Sequence, residues 1–229
     1  MDEFLYAYYV LDEEPSAALA SDMLEFVSGH AETTIEAGTA DEVDPAELLD
    51  NSITFDLGGV EYHLSLDSAT LPQFDGVPAM EIQVYGTHFQ ERYAGSPDAR
   101  EHTERLINLL RDTYLSLRDH GHEIRCVHAF GPSDVASLLD GRVTVPDAQV
   151  SGNAFDAVYW LHILPPYLVE IVGADRLHEA PAWLVEKLAD GSVMLVVDDR
   201  PDRGGAEGTD LFSDVVAHLG IDDEAYMPD

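Results

Sequence analysis

The chain has 229 residues, 45% of them hydrophobic, so it is long enough to bury a core and too apolar to be disordered. It carries 45 Asp and Glu against 11 Lys and Arg, a formal net charge of -34 at pH 7. Binding to nucleic acid or to anionic lipid requires clustered basic residues, so this balance argues against both kinds of partner.

The first third of the chain is predicted to hold a central strand and two helices. Phe4 to Leu11 is apolar on both faces, which is typical of a strand covered on both sides. Pro15 opens an amphipathic helix that ends at Gly29, and Thr33 to Ala37 is predicted as a short edge strand. Asp44 is the expected N-cap of a further short helix.

Three strands with alternating apolar residues follow. Ile53 to Leu57 and Val60 to Leu66 flank a Gly58-Gly59 loop, which is the pattern of a hairpin. Ala79 to Tyr85 repeats the alternation, with Met80, Ile82 and Val84 predicted inside and Glu81, Gln83 and Tyr85 outside. The three strands are therefore predicted to form an antiparallel meander.

The second half mixes helices with strands that are apolar on both faces. Ser96-Pro97-Asp98 starts a long helix that ends near His120. Strands are predicted at Ile124–Phe130, Phe155–Leu164 and Ser192–Asp198, with two short helices between the last two. This order predicts an α+β fold, with a mixed, largely antiparallel sheet and helices packed mainly on one face. We expect one domain, 1–229, with a weak internal boundary at 146–152.

The net charge says more about the salt concentration around the protein than about a binding partner. At about 1 M salt the Debye length falls to roughly 3 Å, so surface carboxylates scarcely repel one another. With Lys187 as its only lysine, the composition resembles that of cytoplasmic proteins of halophilic archaea. Cys126 is the only cysteine, which fits a reducing interior. No basic segment precedes the N-terminal apolar residues and no apolar run reaches about 18 residues, so a soluble cytoplasmic protein is predicted.

His128 is the leading candidate for a catalytic residue. It lies near the end of the predicted strand Ile124–Phe130, and ligands often bind beyond the carboxyl ends of strands, beside helix N-termini. His128, Ser133 and Asp134 are therefore predicted to line a pocket. The alternative is that His128 is a hydrogen-bonded histidine at the edge of the core.

His120 and His122 are candidate metal ligands. A local His-x-His supplies two ligands, and a site needs three or four. His63, His88 or His128 would have to join through tertiary packing. The alternative is a polar helix C-terminus, where the helix dipole favours histidine. The sequence has no phosphate-binding glycine motif and no nucleophile elbow, so no cofactor is expected.

One segment of about 45 residues resembles a known family. The pattern is Tyr159-Trp160, Pro165-Pro166-Tyr167-Leu168, Gly173, Leu177, Ala180-Pro181, Leu184, Leu188 and Asp190-Gly191-Ser192-Val193. It is similar to the C-terminal part of the α+β immunity proteins of contact-dependent polymorphic toxins, such as immunity protein family 52. That resemblance implies a non-enzymatic cytoplasmic protein that binds and blocks a toxin.

Two functions from different classes remain open. The leading hypothesis is a non-catalytic halophilic protein that acts by binding, with another protein as its expected partner. The alternative is a hydrolase-type or metal-dependent enzyme with a site near His128 and the ends of the central strands. A pocket holding His128 within about 3 Å of a second titratable group would favour the enzyme. A His128 sealed in the core would exclude that pocket.

Overall fold

In the part of the chain that the structure describes, nine strands form one antiparallel sheet in the order β2-β3-β4-β5-β1-β6-β7-β9-β8. The computed structural model describes residues 4–29, 33–35, 43–66, 70–139, 145–203 and 210–221. The strands are β1 (Phe4–Leu11), β2 (Thr33–Ile35), β3 (Ile53–Leu57), β4 (Val60–Ser65), β5 (Ala79–Tyr85), β6 (Ile124–Phe130), β7 (Leu161–Leu164), β8 (Leu184–Lys187) and β9 (Val193–Val196).

The helices range from one turn to nearly seven. They are α1 (Ala17–Gly29), α2 (Pro45–Asp50), α3 (Glu91–Ala94), α4 (Ser96–Asp119), α5 (Pro132–Leu139), α6 (Asp147–Val150), α7 (Pro166–Val172), α8 (Ala174–His178) and α9 (Asp210–Leu219). Across the described ranges, none of them combines the length and apolarity that a membrane span requires.

The α+β fold with an antiparallel sheet is confirmed, but helices cover both faces of the sheet. Leu5, Ala7 and Tyr9 of β1 pack in one buried cluster with residues of α1 and α4. Tyr6, Tyr8 and Val10 pack in a second cluster with residues of α5, α7, α8 and α9. The prediction that helices lie mainly on one face is therefore wrong. The physical reason is that strands apolar on both faces must be shielded from water on both.

The first strands form where the sequence predicts them. β1 lies in the middle of the sheet between β5 and β6, and β3, β4 and β5 form the predicted meander. Asp44 caps α2 by accepting a hydrogen bond from the Ala46 amide at 2.9 Å. β2 is an edge strand over Thr33–Ile35, and the remainder of its predicted range, 36–37, lies outside the described residues.

The predicted strand Phe155–Leu164 pairs only over Leu161–Leu164. The preceding residues hydrogen-bond instead to Gln149, which is fully buried. Its side-chain oxygen accepts from the amides of Asp156 at 2.7 Å and Ala157 at 2.5 Å, and its side-chain nitrogen donates to the Ala157 carbonyl at 2.8 Å. A side chain seven to eight residues earlier in the chain thus satisfies backbone groups that would otherwise pair in the sheet.

Position 131, between β6 and α5, requires glycine because its backbone lies close to the backbone of Pro201. A Cβ added there would overlap the carbonyl oxygen of Pro201. We expect Gly131→Ala to lower the free energy of unfolding by about 1–3 kcal/mol, because the loop at Pro201 must shift to relieve the overlap. The measurement is urea denaturation at fixed high salt, with a lower midpoint and an unchanged slope.

The matched control for Gly131→Ala is Gly29→Ala at the end of α1. A Cβ at Gly29 meets nothing within 4 Å, so that variant should be as stable as the parent or slightly more stable. Equal stability of the two variants would contradict the packing observed at Gly131.

Candidate functional site

His128 is sealed inside the protein, with 0% of its surface exposed. Its Nδ1 lies 2.9 Å from Nδ1 of His162, and its Nε2 lies 3.3 Å from the Gln149 carbonyl oxygen and 3.0 Å from Sγ of Cys126. β6 is flanked by β1 and β7 and covered on both faces, which leaves this side chain no route to solvent. The prediction that His128 lines a pocket is wrong, and the core alternative describes it.

The hydrogen bonds assign the protons of both buried imidazoles. His162 accepts from the Tyr159 amide through Nε2 at 2.6 Å, so its proton lies on Nδ1 and is donated to Nδ1 of His128. The His128 proton is then on Nε2, which faces the Gln149 carbonyl. Burial lowers the pKa of His128 to about 4. Burial and the neighbouring His128 hold the pKa of His162 well below its usual value, so the pair is neutral at pH 7.

Ser133 and Asp134 are neighbours in the chain, but their side chains lie in different surroundings. Asp134 is buried, accepts from the Gly131 amide at 3.0 Å, and has a pKa raised to about 7 by burial. Ser133 lines an open cavity of about 450 Å³ with Arg200 among its neighbours. Arg200 is already paired there, since its Nη1 lies 2.7 Å from Glu91. The lining of that cavity does not include His128, so the three predicted residues share no pocket there.

His120 and His122 meet acidic residues of α1 instead of the other histidines. Donor atoms of Asp22, Glu25 and His120 all lie within 4.8 Å of one another. Nε2 of His122 lies 2.7 Å from Oδ2 of Asp22. Within the described residues, the group does not include His63, His88 or His128, the three histidines that would have had to join through tertiary packing. His63 lies 3.1 Å from the Thr54 hydroxyl, His88 stacks edge-on with His102, and His128 is in the core.

A cavity of about 340 Å³ next to the end of β1 contains a buried acidic side chain. It is lined by Tyr8, Glu81 and Phe74, and the rings of Tyr8 and Phe74 stack at 4.1 Å between centroids. Glu81 is only 4% exposed, although the alternation of β5 predicts it outside. The segment from Thr70 to Phe74 covers that face of β5 and explains the difference.

Among the described residues, the side-chain hydrogen bonds of Glu81 are all ones that its carboxylate accepts. Oε2 accepts from the Tyr8 hydroxyl at 2.5 Å and from the Thr70 amide at 2.7 Å, and Oε1 accepts from the Thr70 hydroxyl at 2.9 Å. The Tyr8 oxygen in turn accepts from the Leu71 amide at 2.9 Å. Burial and the charge of Glu81 raise the pKa of Tyr8 far above its usual value, so Tyr8 remains a donor. Within the described ranges Glu81 makes no ion pair.

The rim of this cavity is also acidic. Glu14 and Asp75 line it, and Glu14 further lines a second cavity of about 200 Å³ together with Glu13 and His122. The arginines near the second cavity are already engaged: Arg125 lies 2.6 Å from Asp12, and Arg118 lies 2.7 Å from Glu123. We call the cavity of Tyr8, Phe74 and Glu81, with its rim of Glu14 and Asp75, the acidic pocket.

The acidic pocket has the chemistry of a cation-binding site. Three carboxylates and two aromatic rings favour an ammonium or guanidinium group. Its described lining contains no His, Cys or Ser, and its Tyr8 hydroxyl donates to the Glu81 carboxylate. Among the described residues, two exposed large apolar side chains, Tyr167 and Ile171, lie on α7. The other three lie elsewhere in the chain: Tyr93, Leu139 and Trp183.

Sequence analysis missed Glu81, Glu14 and Asp75 as functional candidates. In a chain with 45 acidic residues an acid has no distinctive local signal. A partial signal was present at Tyr8, because a polar hydroxyl on a strand buried on both faces requires a hydrogen-bonding partner.

Comparison with known proteins gives one similarity of fold. No family model matches the sequence, and no curated protein matches it significantly. Among solved structures, the T6SS protein PA0821 of Pseudomonas aeruginosa has a similar fold, with a TM-score of 0.50 and 15% sequence identity. The alignment covers 95% of this chain and 72% of that one. At this level of identity the similarity shows that the two chains share a fold.

Proposed function

We propose that the protein is a non-catalytic, immunity-like binding protein that blocks a partner protein by receiving one of its Lys or Arg side chains in the acidic pocket. The observation that carries this proposal is Glu81. Its carboxylate is buried, accepts three hydrogen bonds and makes no ion pair within the described part of the chain. A buried charge without a counter-charge is costly, and a cationic side chain from a partner supplies that counter-charge.

The shape of the pocket suits a long basic side chain. Its volume of about 340 Å³ accepts a methylene stem together with a charged head group. The stem packs against the rings of Tyr8 and Phe74, which line the pocket, while the head group reaches Glu81. Glu14 and Asp75 at the rim attract a basic surface around the inserted side chain.

The burial of Glu81 matters if the cell interior is salty. Exposed charges are screened within a few ångströms at molar salt, whereas buried pairs are screened much less. Recognition of charge in such a solvent therefore depends on a desolvated carboxylate more than on the acidic surface at large. The composition supports a halophilic cytoplasmic setting, and the continuous nine-stranded sheet supports one domain.

Two similarities support a protein as the partner. The segment from Tyr159 to Val193 resembles the C-terminal part of toxin-immunity proteins. The fold is shared with a protein described as a T6SS protein. The enzyme alternative loses its leading residue, because His128 is buried and its imidazole is engaged in the core.

The test is protection from a toxin. The chain is co-expressed with the effector candidates encoded beside its gene, and growth and co-purification are measured. We expect one candidate to be toxic alone, to be neutralised by the chain and to form a stable complex with it. The double variant Glu14→Lys, Asp75→Lys should weaken that complex by about tenfold or more, because two attractive rim charges become repulsive.

A matched control changes the net charge by the same amount at two residues that do not line the pocket. Glu170→Lys, Asp175→Lys alters two exposed acids of α7 and α8, and should leave binding within about twofold of the parent. Equal loss in both double variants would mean that overall charge, and not the acidic pocket, drives association. Absence of any neutralised effector would contradict the immunity-like function itself.

A further inference from the structure

The candidate metal ligands of α1 and α4 form a compact group. Asp22 and Glu25 stand at i and i+3 of α1, and so lie on one face of that helix. His120 directly follows α4, which packs on α1. One ligand atom from each of these three residues lies within 4.8 Å of the others, a spread that one metal ion can bridge. This group stands outside the acidic pocket and does not depend on the proposed function.

The hydrogen bond of the His120 imidazole leaves one of its ring nitrogens available as a metal ligand. Its Nδ1 lies 2.8 Å from the Ser116 carbonyl oxygen, which can only accept, so the Nδ1 proton is donated to it. The neutral ring therefore keeps its lone pair on Nε2. Metal-bound histidines usually donate their other ring N–H to a carbonyl or a carboxylate in this way.

His122 contacts Asp22, one of the three candidate ligands. Its Nε2 lies 2.7 Å from Oδ2 of Asp22, and both side chains are about one-fifth exposed. This contact holds the Asp22 side chain through Oδ2, and within the described ranges no hydrogen bond engages its other carboxylate oxygen. A hydrogen bond to a carboxylate ligand is the usual support around a metal site. His122 is therefore a positioning residue and His120 the ligand.

We propose that Asp22, Glu25 and His120 form a binding site for one divalent first-row transition metal ion, with zinc as the reference ion. One imidazole nitrogen with two carboxylate oxygens suits zinc and its neighbours in the row, whereas magnesium and calcium prefer oxygen ligands alone. Three protein ligands leave a coordination position for water or for a group from a partner.

The test is calorimetric titration of the chelator-stripped protein, prepared without a histidine tag, with zinc chloride in molar KCl. Millimolar magnesium is included to occupy ordinary acidic surface sites. We expect one zinc ion per chain with micromolar affinity. His120→Ala should weaken zinc binding by at least about tenfold, and His122→Gln should have a smaller effect. Cobalt should give visible absorption bands that His120→Ala abolishes.

The matched control is His178→Ala, which removes an exposed histidine of α8. It should bind zinc as the parent does. His120 is exposed, so His120→Ala should keep the thermal stability of the stripped protein, and its effect on zinc can be assigned to the lost ligand. Zinc binding that is displaced by magnesium, that exceeds one equivalent without saturating, or that is unchanged in His120→Ala would overturn the site.

Discussion

Removal of salt is expected to destabilise the protein severely, with the midpoint of thermal unfolding rising by about 10–20 °C between about 0.1 M and 2 M KCl. The cause is the excess of carboxylates over cations. With 45 acidic and 11 basic residues, most acids cannot find a partner of opposite charge. At low ionic strength they repel one another across the folded surface more than in the expanded unfolded chain.

The arginines of the described residues cannot offset this excess, because many are already committed. At least seven of them lie within 4 Å of a carboxylate: Arg100, Arg105, Arg111, Arg118, Arg125, Arg200 and Arg203. Most of these pairs are partly exposed and therefore weak individually. Screening by salt thus relieves far more repulsion than it removes attraction, which fixes the sign of the effect.

The measurement is a series of melting curves in KCl, compared with sucrose as an uncharged excluded solute. Sucrose strengthens burial without screening charge, so it should raise the midpoint much less. A variant with Glu170, Asp175 and Glu179 replaced by their amides should melt higher than the parent at low salt and equally at high salt. A flat response to KCl would contradict the halophilic interpretation of the composition.

Local patterns in the sequence predict the half of the sheet from β2 to β1 well. In β3 and β4 apolar residues alternate strictly around Gly58-Gly59, and both glycines have positive φ in the structure. The turn and the alternation together set the register without help from distant residues. β1 was equally predictable, because only the centre of a sheet buries both faces of an eight-residue strand.

The structure of the other half, with β7, β9 and β8, depends on contacts that no local sequence pattern reveals. β8 has three half-buried residues, one exposed residue and one neighbouring strand, so its pattern does not distinguish it from a loop. The residues before β7 do not pair in the sheet, because their backbone groups bond to the Gln149 side chain. This role of Gln149 depends on its burial, which the sequence pattern does not show. The helices on the second face could have been inferred from the two-faced strands, since those strands need cover on both sides.

The candidate sites divide in the same way. His120 and His122 could be chosen from sequence because histidines are rare beside one another, but Asp22, their acidic neighbour, is about 100 residues away in the chain. Glu81 is buried because Thr70 and Tyr8 donate to it from two other segments, and Leu71 donates in turn to Tyr8. His128 was assigned to a strand end correctly, and the error lay in the cover that β7 and Gln149 provide.

Acidification is expected to unfold the protein through its buried histidine pair. His128 has a pKa lowered from 6.5 to about 4 because burial disfavours the charged imidazole. Below pH 6.5 the unfolded chain therefore takes up a proton that the folded chain refuses until about pH 4. The stabilisation is complete above pH 6.5 and is lost as the pH falls through about 4, a change of roughly 3 kcal/mol for this residue.

Other buried titratable groups also determine how the free energy of unfolding changes with pH. The pKa of His162 is lowered by burial and by His128, so it adds to the loss of stability in acid. Burial raises the pKa of Cys126 far above its usual value, so this thiol does not titrate in the range. Asp134 acts in the opposite direction: its pKa is raised from 3.8 to about 7, so its contribution is complete below pH 3.8 and is lost as the pH rises through about 7.

Because these groups oppose one another, the prediction is tested on differences between variants. His128→Gln keeps an acceptor for His162 and a donor for Gln149 but cannot be protonated. At pH 8 it should be less stable than the parent, because its packing is altered in a dense core. That deficit should shrink by roughly 3 kcal/mol between pH 7 and pH 4, measured by urea denaturation at constant salt.

Asp134→Asn should change in the opposite sense, losing ground to the parent as the pH falls, because the parent gains from binding a proton at Asp134 that the amide cannot bind. His178→Gln, at an exposed position, should follow the parent at every pH. A deficit of His128→Gln that stays constant from pH 8 to pH 4 would mean that the folded protein protonates its central imidazoles freely. The hydrogen bonds of His128, each already assigned to a neutral ring, leave no partner for that extra charge.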